Sequence, residues 1–275
     1  MLWKTVLLVM DSVKKLFYFI LLATCTTTSQ TIESYFKIPQ GYEREFANDY
    51  SRWILKQPII VNKHVLTFDN NKIPGLNDWY IAKFDYDIGA KDLHQCADAA
   101  IYLNAKYHYD KNNLSKVKYH FTNGYMYSYS DFEENKVPDC REDKNWECEL
   151  VYKETNNLNE YLDIVWNYAG SYSLEKYDTY QVDLKNIQPG DIFIYGGFPG
   201  HVVSVVDVII NKNGQKKFML AQSYMPAQEQ HILLNPTKKF SVWHDLNTNK
   251  NIITNGGTFN KYQLRRFKNQ KRGPH

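Results

Sequence analysis

Cys96 and His201, 105 residues apart in a chain of 275, are the side chains whose types could do chemistry together. A thiol becomes a nucleophile when an imidazole takes or shares its proton, and such pairs meet in space rather than along the chain. Cys96 lies in "KDLHQCADAAIYLNAKYHY", where Leu93, Cys96, Ala97, Ala100 and Ile101 recur at the spacing of one buried helix face. Asp92 with Gln95 three residues later reads as a capping box, placing Cys96 just after the first turn. There the helix dipole and unpaired N–H groups favour thiolate over thiol. A free cysteine also packs as a small hydrophobe, so the helix alone leaves a purely structural reading open. His201 opens an apolar run in "IQPGDIFIYGGFPGHVVSVVDV". It too has two readings: a buried ring held by one backbone bond, or the acid–base half of a pair.

The elements around the histidine are legible. Gly190-Asp191 begins a strand that runs to Tyr195, residues 196–200 form a Gly- and Pro-rich tight turn, and His201 to Ile210 is a second strand rich in β-branched residues. Asn213-Gly214 signals a hairpin, and "KFMLAQSYM" is the third strand, its apolar run broken by Gln222. A two-residue loop sets Gln222 opposite Val205, on the face of His201 but four residues along. Contact then requires a bulge, another loop register or strong twist. Gln222 is the candidate imidazole orienter; the backbone N–H of Cys96 and the side-chain amide of Gln95 are candidate oxyanion donors. "YHFTNGYMYSY" alternates as a strand and "LNEYLDIVWNYAGSYSL" has helical spacing. These elements predict one α+β domain, with the cysteine helix packed on a mainly antiparallel sheet.

Composition excludes other classes. With 33 basic and 30 acidic residues the net charge is +3, and the short basic tail "RRFKNQKRG" reads as solvated, so no nucleic-acid partner is expected. Cys96, His94, His201 and His231 could be drawn as a zinc set, but Cys96 and His94 are two apart on a helix and point to different faces, so no metal is expected. No phosphate loop or dinucleotide fingerprint is present, because Gly196-Gly197 lies between strands, and no cofactor is expected. Asp92 and Asp98 flank the cysteine, where a carboxylate would raise a thiol's pKa; they read as cap and solvated face. Asp191 reads as the organiser of the turn after Pro189. The 22 tyrosines suggest glycan stacking, which composition alone does not carry.

In "MDSVKKLFYFILLATC" two lysines precede an apolar run from Leu16 to Ala23, shorter than the ~20 residues a membrane span needs but suited to a secretory signal, with Met10 as an alternative start. Export permits disulfides. Cys140 and Cys148 lie eight apart in the polar stretch "CREDKNWEC" and could close one, which leaves Cys96 unpaired if Cys25 is modified.

Three resemblances add to this. Leu22-Ala23-Thr24-Cys25 resembles the bacterial lipoprotein signal, in which the cysteine is lipidated and becomes the first mature residue; an ordinary cleaved signal is the other reading. The helix-borne cysteine, "PGDIFIYGGFPGHVVSVVD" and the strand with a polar third residue resemble papain-like cell-wall peptidases of the NlpC type. That resemblance implies a papain-like fold with Cys96 as nucleophile and His201 as acid–base, although "HQCADAA" replaces the Asp-Cys-Ser-Gly usual around their nucleophile. Finally, "DLHQCADAAIYLNAKYHY", "HFTNGY", "YLDIVWNYAGSYSLEK", "GDIFIYGGFPGHVVSVVD" and "LAQSYMPAQEQHIL" resemble a family of bacterial lipoproteins known as a domain of unknown function, over roughly Ser34 to Phe267. The expected organisation is a signal at 1–24, a tether at 25–33, one domain at 34–267 and a basic tail at 268–275. The expected function is that of an exported, lipid-anchored cysteine hydrolase acting on amide or peptide bonds such as those of cell-wall stem peptides. Its partners would be the membrane and a peptidoglycan or peptide substrate. The alternative is a noncatalytic envelope lipoprotein that uses the same scaffold as a binding module.

Overall fold

The computed structural model describes residues 30–270, so the signal segment, Cys25 and the last five residues of the tail lie outside the described residues. Eleven strands form one sheet. Across it run Gln30–Thr31, Pro58–Val61, Tyr80–Phe84, His231–Leu233, Lys216–Gln222, His201–Asn211, Ile192–Tyr195, Leu264–Phe267 and Thr179–Gln181, every neighbour antiparallel. Six helices accompany it among the described residues, so the chain is α+β. None of them is long and apolar enough to cross a membrane.

The central strand, His201–Asn211, explains why the sequence there lacks polar alternation: its first nine residues are buried. On one face Val202, Val206, Ile194, Met219 and Ala221 pack under the helices Cys96–Asp110 and Leu158–Tyr168. On the other, Val203, Val205, Val208, Phe193 and Leu220 pack with Phe259 and Leu264. Residues buried on both sides of a sheet need apolar chains at every position, and each Val or Ile so buried contributes about 1.5–3 kcal/mol.

The register of this strand differs from the two-residue-hairpin expectation in two places. The loop is longer: Asn211 N–H bonds the carbonyl of Gln215, Gly214 has φ +75°, and Ile210 pairs with Lys216. A bulge then falls between Val205 and Asp207, so that Val205 pairs with Leu220 and Ser204 with Ala221. Each step moves the partner strand by one residue, and two one-residue steps restore the face. Continuing the register sets Gln222 across from Val203, next but one to His201.

The turn that feeds the histidine hairpin is anchored from within. Gly190 has φ +94°, a conformation side chains resist, and Asp191 behind it accepts the Gln188 N–H at 2.9 Å. Asp191 also takes both arms of Arg266, at 2.6 and 2.9 Å, with the pair almost wholly buried. Burial pushes the Asp191 carboxyl up to about 6, with the guanidinium opposing. The hairpin Lys136–Cys140/Cys148–Tyr152 is closed by a Cys140–Cys148 disulfide.

Both ends of the domain extend past the expected bounds. Gln30–Thr31 pairs with Pro58–Ile59 and Ile32 is fully buried, so the end of the supposed tether is part of the fold. Lys268–Gln270 is not solvated tail: Asn269 bonds Asn104 and the carbonyl of Lys116, and Gln270 is buried.

Removing Asp191 strands a buried guanidinium. Asp191→Ala is expected to cost about 3–5 kcal/mol in urea unfolding, and Asp191→Ala combined with Arg266→Met to recover most of it. Equal losses in the single and double variants would refute that account.

Candidate active site

The helix begins at Cys96, about one turn later in the chain than a cap at Asp92 implies, so Cys96 is its first residue rather than one just past the first turn. Gln95 is the residue before the first turn, and the reciprocal partner of the cap is Asp98, whose Oδ2 accepts the Gln95 N–H at 3.0 Å. Asp98 is therefore buried rather than on a solvated face, and burial raises its carboxyl well above the carboxylate range. Asp92 works outward instead. Its Oδ1 accepts from Gln95 Nε2 at 3.2 Å and from the Ala227 N–H at 2.6 Å. The Ser223 hydroxyl adds a bond to the carbonyl of His94 at 2.8 Å. The loop that carries the cysteine is thus tied to the segment that immediately follows Gln222.

On the strand side, His201 and Gln222 meet directly, with Nε2 to Oε1 at 3.2 Å. The amide is oriented by its other end, where Gln222 Nε2 donates to Asn255 Oδ1 at 3.3 Å. An amide that donates at one end accepts at the other, so the proton of the neutral ring sits on Nε2 and Nδ1 keeps its lone pair. Phe259 stacks on the ring at 5.8 Å, Tyr224 meets it edge-on at 5.1 Å, and Tyr195 pairs with His201 across the strands. Above the pair passes the turn between the strands Ile252–Thr254 and Gly257–Phe259. A Cβ on Gly256 would stand 2.5 Å from His201 Nε2 and 2.8 Å from Gln222 Oε1.

Cys96 comes to this place from the other face of the sheet. The ring lies with Val203 and Val205, whereas the helix packs over Val202 and Val206. The two faces join only at the mouth of the strand, where the chain has just left the turn. There the backbone amide of Val202, next to His201, acts on the Cys96 sulfur, and Tyr195 feels both Cys96 and Tyr224. The sulfur is unpaired and partly buried.

The electrostatics differ from the helix-dipole expectation. Burial pushes the Cys96 thiol up to about 11, against the downward pull of the Val202 amide and with Asp98 adding to the rise. Burial pushes His201 down to about 4, the Gln222 bond opposing. Desolvation outweighs the helix terminus, and both groups rest neutral near pH 7. The resting pair is therefore not a preformed thiolate–imidazolium ion pair.

The other histidines are occupied differently. His94 Nε2 meets the Tyr86 hydroxyl at 3.1 Å, and His231 Nδ1 faces the carbonyl of Glu229 at 3.0 Å. Among the described residues no group of three or more His, Cys, Asp or Glu could hold a metal. Tyr195, Tyr224, Asn255, Gly256 and Phe259 escaped the sequence reading. "TNGG" at 254–257 is a turn signal, but nothing local in it says that the turn lies over His201.

Two outcomes follow. Gly256→Ala is expected to part His201 from Gln222 and move the Nε2 proton resonance of His201, while changing urea stability by less than about 2 kcal/mol. An unmoved resonance would count against the close approach. Because iodoacetamide consumes thiolate, its rate with Cys96 should climb about tenfold per pH unit from pH 7 to 10 and bend near 11. A plateau already at pH 8 would contradict burial as the controlling term.

No curated protein and no solved structure matches the chain. A family model described as "Domain of unknown function (4846)" matches residues 32–266, close to the span over which the sequence resembles such a family. The chain belongs to that family.

Proposed function

We propose that this protein is a cysteine hydrolase that cleaves an amide or peptide bond, with a papain-like arrangement of the NlpC kind. The observation that carries the reading is the His201–Gln222–Asn255 chain, which fixes the imidazole with its Nδ1 lone pair free to take a proton. As the Cys96 sulfur attacks a carbonyl carbon, the thiol proton passes to Nδ1. The carbonyl oxygen becomes an oxyanion that the backbone N–H of Cys96 and the second N–H of Gln95 Nε2 can receive. The imidazolium then protonates the leaving nitrogen as the C–N bond breaks, and a thioester remains. Water, losing its proton to the same nitrogen, releases the acid and restores the thiol.

The Cys-His pair and the exported, lipid-anchored setting together suggest cell-wall stem peptides as the substrate. Anchoring has its own test: Cys25→Ala should move the protein from the membrane fraction to the soluble fraction without unfolding it, and an unchanged membrane fraction would argue against lipidation there.

The noncatalytic reading draws on the same burial, since a neutral thiol of pKa about 11 is inert in the resting state. A peptidyl vinyl sulfone separates the two, because its capture of sulfur is completed by a proton from the imidazole. At pH 7 Cys96 labelling should fall by about 10²-fold or more in His201→Gln and vanish in Cys96→Ser. In wild type it should decline below pH ~5 as His201 protonates near 4, since the charged ring can no longer accept the thiol proton. Identical labelling of wild type and His201→Gln from pH 5 to 9 would leave the binding module standing.

A further inference from the structure

Away from Cys96, a cavity of about 460 Å³ opens among Lys116, Lys118, His120, Tyr177, Asp178 and Lys268. It shares no lining residue with the Cys96–His201 site. Its volume lies within the range of small-molecule pockets, roughly 300–1,000 Å³. Buried Tyr119 and Phe267 contribute apolar wall, and the rim carries three lysines against the single carboxylate of Asp178.

That carboxylate is turned inward. Asp178 Oδ1 lies 2.6 Å from His120 Nδ1 and Oδ2 accepts the His120 backbone N–H at 3.0 Å, so both oxygens are engaged by one residue. The imidazole is further held flat against Tyr177, with ring centroids 5.2 Å apart. With Nδ1 committed, Nε2 is the nitrogen left for a ligand. Lys268 is committed as well, since its ammonium donates to the carbonyl of Tyr177. Lys116 and Lys118 have no ion-pair partner among the described residues. A fixed imidazole that shares a cavity with two ammonium groups lacking an ion pair, beside apolar wall, is complementary to an oxyanion carried on an apolar body.

We infer that this cavity is a second binding site, for a small molecule that bears a phosphate or a carboxylate on an aromatic or aliphatic body. The intact chain would be titrated at 0.15 M salt with phenyl phosphate, 3-phenylpropionate and phenol, read by calorimetry and by amide resonances. Saturable binding of at least one oxyanion, shifts centred on residues 116–120 and 267–269, and no binding of phenol are expected. Preference for phenyl phosphate would assign the ligand as a phosphate and the reverse preference as a carboxylate. Lys116→Ala and Lys118→Ala, both at positions where the side chain is not needed for packing, should each weaken binding about tenfold, as should His120→Gln. No saturation by about 10 mM with any probe would overturn the inference, as would phenol binding equally well or unchanged affinity in the Lys116→Ala/Lys118→Ala double variant.

Discussion

The hydrogen bond between His201 and Gln222 is the interaction on which the rest of the site depends. An imidazole carries two ring nitrogens, and burying it at the mouth of the central strand leaves both to be satisfied or used. Gln222 satisfies Nε2 with a neutral partner. That partner carries no charge, so it orients the ring while stabilising the imidazolium less than burial disfavours it, and His201 is held near 4. Asn255, Phe259 and the Gly256 turn then serve the bond: one orients the amide, one covers the ring, and the third comes close enough to leave no room for a side chain.

That bond constrains the sheet. For Gln222 to reach the ring, the partner strand must sit two residues away from the register of a tight hairpin, and a shift of one would have turned Gln222 to the helix side. The longer loop at Lys212–Gly214 and the bulge before Asp207 supply one step each. The bulge also leaves Val206 and Asp207 on the same side, which lets Asp207 meet Arg44 at 3.0 Å while Val206 packs under the helix. A sheet irregularity thus sets the geometry of a polar pair some four residues away.

The α+β class, the helix beginning near Cys96, the strand opening at His201 and the third strand bearing Gln222 were legible because each rests on local pattern: period 3.6, β-branched runs and turn residues. What was not legible depends on distant chain. Asp98 looked like a solvated carboxylate because a helical wheel does not show what covers the first turn. The Cys96 thiol looked activated because a helix terminus is visible in sequence, whereas the burial that outweighs it is not. Gly256 and Phe259 lie more than fifty residues beyond His201, and only the closed fold brings them over the ring. The tail misled for the same reason: Lys268–Gln270 is polar in composition, yet Asn269 finds its partners in Asn104 and Lys116.

His201 and His120 are each held by a side-chain oxygen, an amide in the first case and a carboxylate in the second. An amide oxygen fixes a tautomer but leaves the ring's charge to its surroundings; a carboxylate favours the charged ring whenever a proton is available. His201 has the amide and a buried, aromatic setting, which keeps the ring neutral. His120 has the carboxylate, which engages both its ring Nδ1 and its backbone N–H, and it lines an open cavity with Lys116 and Lys118. A charged partner for His201 would change that balance. A carboxylate at position 222 would draw His201 toward a standing imidazolium, with a proton on both ring nitrogens and its desolvation cost offset by the new charge.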